Sequence, residues 1–238
     1  MAIQYSFARI LAAWAVHTFT ASGLVSGFLS LLAVNQKDWQ AAAVWMGVSL
    51  IIDGIDGTFA RIVGVKEVLP EMDGKTIDFV VDFFTYAVVP AYFFYYSGLA
   101  PAGWALVGAI FILLISGLYY GRDGMVSDQM QFIGFPVLWN LVIFVLFYIL
   151  SFPTWANILL VFVFGVLHFV PLRFAYPSRA YRYRVPHLIA TVLMIIAGAV
   201  QMYLYPVKHI LPTWTIILGS VYFMGMACWE MVMNKNKI

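Results

Sequence analysis

The chain has 238 residues, 63% of them hydrophobic and only 10% charged, with a formal net charge of +2. Soluble domains carry roughly 25% charged residues, so this composition, with a mean hydropathy of +0.91, excludes a soluble globular protein; no nucleic-acid partner is expected. The single cysteine, Cys228, excludes an intrachain disulfide framework. What remains is an all-α polytopic membrane bundle.

Residues 3 to 15 place Ile3, Phe7, Ile10, Leu11 and Trp14 at helical spacing, with Gln4, Ser6 and Arg9 mostly elsewhere. That pattern predicts a short amphipathic helix on the membrane surface, or else the first turns of the first span. A lone Arg9 and the break at His17 do not make a cleavable signal peptide. Eight spans follow, at 17–35, 39–63, 76–97, 100–120, 132–151, 155–174, 187–206 and 212–232, each near the ~20 residues that cross the hydrocarbon core. The turns between them carry breakers: Gly98 with Pro101, Pro153, Pro177 with Pro186, and Pro206 with Pro212. No repeat, low-complexity segment or soluble insertion interrupts the series, so residues 1–238 read as one membrane domain.

With the N-terminus placed inside, eleven lysines and arginines fall in cytoplasmic segments, and only Lys37 and Lys208 fall on the other side. The positive-inside rule therefore puts both termini in the cytoplasm.

Two stretches break the apolar pattern: "LIIDGIDGTFARIVG" (50 to 64) and "DGKTIDFVVDFF" (73 to 84). At about 100° per residue, Asp53, Asp56, Gly57, Ala60, Arg61 and Gly64 share an arc of about 140°. Gly74, Asp78 and Asp82 recur every four residues, one stripe on one face of the next span. Measured at ~1.5 Å per residue from the cytoplasmic ends, Asp53 lies about 15 Å deep, Asp56 about 10 Å, Asp78 about 6 Å and Asp82 about 12 Å. Four carboxylates thus converge at one level, where each costs roughly 2.5–3.5 kcal/mol to insert. Divalent cations with oxygen ligands would neutralise them, and a pair of Mg²⁺ or Mn²⁺ ions suits carboxylates on two faces. The small residues Gly57, Ala60 and Gly74 leave a groove for a ligand or a close helix contact. Arg61 at its rim suits a phosphate, or an interfacial anchor.

The pattern Asp53-x2-Asp56-Gly57-x2-Ala60-Arg61-x12-Gly74-x3-Asp78-x3-Asp82 resembles the signature of the CDP-alcohol phosphotransferases. The twelve residues Ile62 to Asp73, which include Glu67, Glu71 and Asp73, exceed the gap in most members and resemble the bacterial phosphatidylcholine synthase branch, as do the eight spans and "FIGFPVLWN" (132 to 140). The resemblance implies a homodimeric enzyme of the bacterial inner membrane with a cytoplasmic active site. Its reaction would join CDP-diacylglycerol to choline, giving phosphatidylcholine and CMP. By position, Asp53, Asp56 and Asp78 would be metal ligands, and Asp82 both ligand and general base. Gly57, Ala60 and Gly74 would line the nucleotide cleft, and Arg61 would help hold the nucleotide or phosphate.

A choline pocket needs aromatic faces and an acid. Tyr86, Tyr119, Tyr120, Asp123, Asp128 and Trp139 are its candidates. Arg173, Arg179, Arg182 and Arg184 form the densest basic cluster, suited to lipid phosphates or equally to fixing topology. The histidines His17, His168, His187 and His209 show no ligand spacing and read as interfacial or packing residues. Two other readings stay open: a relative that uses serine, inositol or a phosphorylated alcohol, and an ion-coupled transporter with intramembrane acids.

Overall fold

The computed structural model describes residues 5–125, 131–175 and 183–233. The chain divides into two compact units, Met1–Pro90 and Ala91–Ile238. In the first, α1 (Phe7–Asn35) and α2 (Trp39–Val63) are followed by a single turn, α3 (Val65–Val68), and by α4 (Gly74–Phe83). α4 runs through a π-helical turn, Phe84–Val88, into α5 (Val89–Tyr96), and the whole forms one apolar helix, Gly74–Tyr96.

The separate surface helix expected over 3–15 is instead the start of α1, which Ser6 caps by accepting from the Arg9 N–H. Ala12, Ala13 and Ala15 are strong helix formers, and nothing between them and His17 stops propagation. α1 then packs on both neighbours through small residues. A Cβ on Gly23 would lie 2.5 Å from the Val81 side chain, and one on Gly27 would lie 2.7 Å from the Phe84 ring. Between α1 and α2, the Ser26 and Ser49 hydroxyls meet at 2.7 Å, and Ser30 donates to the Ala42 carbonyl at 3.0 Å. In an apolar solvent such close backbones and interhelical hydrogen bonds hold helices together. Gly27→Val should therefore lower the thermal midpoint in detergent. Overpacking costs about 1–3 kcal/mol, more than the few tenths that valine gains over glycine in helix propensity.

α2 occupies the residues expected for the second span. Asp38 caps it by accepting from the Ala41 N–H at 3.0 Å. Gly64 ends it at φ +70, donating its N–H to the Ala60 carbonyl, so this glycine of the carboxylate arc is the stop signal of the helix. Asp73 starts α4. Its carboxylate accepts from the Lys75 N–H at 3.1 Å and from the Thr76 hydroxyl at 2.5 Å. The Thr76 hydroxyl holds Asp73 below the usual carboxylate range.

The second unit holds α6 (Trp104–Tyr120), α7 (Trp139–Phe144) with a π-helical turn Val145–Ile149, α8 (Thr154–Leu167), α9 (Arg184–Leu204) and α10 (Ile210–Met233). It also holds the two strands found among the described residues, β1 (Gln131–Ile133) and β2 (Arg173–Ala175), paired antiparallel with Phe132 opposite Phe174. These strands take residues that the hydropathy assigns to spans 132–151 and 155–174, so the first helix begins late and the second ends early. Gly134 closes β1 at φ +90, where a Cβ would overlap the His168 carbonyl. Among the described residues, five helices are long and apolar enough to cross a membrane; Trp104–Tyr120, Trp139–Ile149 and Thr154–Leu167 are apolar but shorter. The eight apolar segments are thus present, and three fall short of the ~20 residues a full crossing needs.

Candidate metal and active site

α2 and α4 bring three of the predicted carboxylates together. Asp53, Asp78 and Asp82 each offer an oxygen, and these oxygens lie within 4.8 Å of one another. Asp82 Oδ1 is buried and has no hydrogen-bond partner. Asp56 is buried at 6% exposure and acts electrostatically on Asp82, but it stands outside the group of three. Tyr86, one turn beyond Asp82, donates its hydroxyl to Asp53 Oδ2 at 2.7 Å. It lies in the π-helical turn, a distortion that recurs at functional sites.

These residues fit a hard cation. Carboxylate oxygens bind Mg²⁺ or Ca²⁺ at about 2.0–2.6 Å, so ligands of one ion stand no more than about 4–5 Å apart, and the three oxygens here all lie within 4.8 Å of one another. A buried carboxylate oxygen without a donor calls for such a partner, and clustered like charges are costly without one. The Tyr86 hydroxyl is placed to orient Asp53 should that carboxylate hold an ion. Groups of that kind typically change metal affinity about 10–100-fold when removed. Tyr86→Phe should weaken Mn²⁺ binding by that factor in isothermal titration.

The remaining motif residues have varied surroundings. Gly57 is partly buried. Ala60 packs on the cluster of Ala13, Val16, Val65 and Val68. Arg61 is exposed in the last turn of α2 and donates to the Thr58 hydroxyl at 2.9 Å. Gly74 packs against a histidine: a Cβ there would lie 3.2 Å from His17 Cε1. His17 is 6% exposed, and its Nε2 has no hydrogen-bond partner.

In the second unit, Tyr119 and Trp139 converge on His168. The Trp139 ring stacks on the imidazole at 5.2 Å and the Tyr119 ring meets it edge-on at 5.4 Å. Their polar atoms are also engaged, Tyr119 Oη donating to the Ile133 carbonyl and Trp139 Nε1 to the Ser116 hydroxyl. Tyr120 is partly buried and Asp123 exposed. Arg173 lies in β2 opposite Ile133, and Arg184 is exposed at the start of α9. Asp128, Arg179 and Arg182 lie outside the described residues.

No family model matches the chain. Over 190 residues it is 40% identical to the phosphatidylcholine synthase of Mesorhizobium japonicum, covering 80% of this chain and 70% of that protein. It is 38% identical to the phosphatidylcholine synthase of Rhizobium meliloti over 86% of this chain and 83% of that one, and 36% identical to that of Pseudomonas aeruginosa over 92% and 91%. The chain belongs to the phosphatidylcholine synthase family. A match over 92% of the sequence necessarily takes in parts of both units. With its five long apolar helices, this member of the phosphatidylcholine synthase family is a membrane protein whose carboxylate group can hold a metal ion.

Proposed function

We propose that the chain transfers the phosphatidyl group of CDP-diacylglycerol to choline, giving phosphatidylcholine and CMP. Family membership supports the product, and the motif resemblance supports the donor. The observation that carries the chemistry is the meeting of Asp53, Asp78 and Asp82 oxygens within 4.8 Å.

Asp53, Asp56, Asp78 and Asp82 would hold one or two Mn²⁺ or Mg²⁺ ions, which when bound would offset the charge of the pyrophosphate and of the departing CMP. Asp82 takes the proton from the choline hydroxyl as that oxygen bonds to the phosphorus carried by diacylglycerol. The bond from this phosphorus to CMP breaks, and its electron pair leaves on CMP. A positioned base of this kind contributes roughly 10²–10⁴-fold. Tyr86 keeps Asp53 oriented, and its ring lends an aromatic face near the cationic head of choline. Gly57, Ala60, Gly74 and Arg61 border the nucleotide. Tyr119, Tyr120, Asp123 and Trp139 are the further choline candidates, and Arg173, Arg179, Arg182 and Arg184 those for lipid phosphate. The chain works as one domain, as a homodimer in the bacterial inner membrane with its site toward the cytoplasm. There soluble choline and CMP exchange with water while the lipid enters sideways.

The test is CMP release by purified protein supplied with CDP-diacylglycerol, Mn²⁺ and, in turn, choline, serine, inositol, glycerol 3-phosphate and inositol phosphate. Metal-dependent release with choline alone is the expected result. Release with another alcohol would retain the carboxylate mechanism and replace the acceptor. No release with any alcohol from folded protein would overturn the enzyme reading in favour of ion binding.

A further inference from the structure

Where α1 begins and α2 stops, the first unit carries positive charge that the carboxylate site does not use. Arg9, in the first turn of α1, lays its guanidinium over the Tyr5 ring, 4.8 Å from the centroid, an arrangement that favours a cation. The same guanidinium reaches the end of α2: a Cβ on Gly64 would lie 3.8 Å from Arg9 Nη2 and 3.6 Å from Glu67 Oε2. α3 buries Val65 and Val68 and leaves Lys66 and Glu67 exposed, as are Arg9 and Arg61. Open apolar surface lies at the same two helix ends, with Phe7 80% and Ile62 75% exposed. Gly64 stands eight residues beyond Asp56, about 12 Å along α2, so this group is separate from the carboxylates. Cations at this end of a span help fix topology, and one beside a helix C-terminus offsets its dipole. Neither role uses up the five N–H donors of an exposed guanidinium.

The geometry points to a headgroup site for an anionic phospholipid at this end of the molecule, with Arg9 and Lys66 binding the phosphate and Phe7 and Ile62 meeting the acyl chains. The combination decides the chemical class. A guanidinium fork matches phosphate oxygens, and exposed phenylalanine and isoleucine beside it suit an amphiphile better than a soluble anion. The positive-inside distribution turns the same end toward the leaflet that holds anionic lipid. Phosphatidylcholine also has a phosphate, but its choline cation cancels the charge, so the basic group selects a lipid with net negative charge. This site goes beyond the transfer reaction and does not rest on it: the lipid is held away from the carboxylates and is not consumed.

The test titrates short-chain phosphatidylglycerol and phosphatidylcholine separately into the full chain in neutral detergent, with bound lipid counted by native mass spectrometry. EDTA is present throughout, so that the carboxylates hold no ion and repel an anionic head. The variants are Arg9→Gln and Lys66→Gln, with Lys37→Gln as a control at the turn between α1 and α2. One basic residue near a membrane surface corresponds to roughly fivefold in affinity. The expected result is tighter binding of phosphatidylglycerol than of phosphatidylcholine by wild type. That affinity should fall roughly fivefold in Arg9→Gln and in Lys66→Gln, and stay at the wild-type value in Lys37→Gln. Equal binding of the two lipids by wild type would overturn the inference, as would wild-type affinity in Arg9→Gln. An equal loss in Lys37→Gln would also overturn it, since any removed charge would then do the same. Should Arg9→Gln not fold, wild type is titrated at 0.1 M and 1 M NaCl, where the screening length falls from about 10 Å to about 3 Å. The preference for phosphatidylglycerol disappears at 1 M if the basic group holds the head, and its persistence there would sink the assignment.

Discussion

Asp82→Asn should lower kcat by roughly 10²–10⁴-fold, the range that removal of a general base produces, with KM for CDP-diacylglycerol little changed. The substitution preserves shape and retains a polar group facing Asp53, but it removes the proposed proton acceptor. Retained turnover would show that another group takes the proton.

Asp78→Asn should be nearly as severe through a different route. Asp78 supplies one of the three converging oxygens, and groups behind a metal ligand already cost about 10–100-fold in metal affinity or activity. A ligand itself should cost more than about 100-fold, and part of that loss should return at high Mn²⁺ because the remaining carboxylates still attract the ion. Differential scanning fluorimetry gives the corresponding equilibrium readout. Saturating Mn²⁺ should raise the wild-type midpoint, since an ion at 100 times its Kd adds about 2.7 kcal/mol, and should raise that of Asp78→Asn much less. A variant that keeps the wild-type Mn²⁺ response would remove Asp78 from the ligand set.

The carboxylate centre was legible in the sequence because helical spacing is rigid. Residues at i and i+4 share a face whatever surrounds them, so Asp78 and Asp82 could be placed before any packing was known. The α2 boundaries were equally readable, as Asp38 and Gly64 are local start and stop signals. Contacts decided by other segments were not. The Tyr86 hydroxyl could have faced a substrate, and only the fold shows it on Asp53. The pairing of 131–133 with 173–175 joins residues about forty apart, and their apolar side chains look the same to hydropathy as a span end. Nor does any spacing mark His17, which packs against Gly74 from another helix.

The closeness of α1 to α4 bears on speed as well as on folding. Gly23 and Gly27 bring the α1 backbone against Val81 and Phe84, the residues that stand just before and two after Asp82. A side chain bracketed in this way has little freedom to drift toward water or away from an arriving hydroxyl. Electrostatic groups that are already in place need little reorganisation as charge shifts in the transition state. Two glycines on a neighbouring helix would then contribute to the rate by keeping the proposed proton acceptor still.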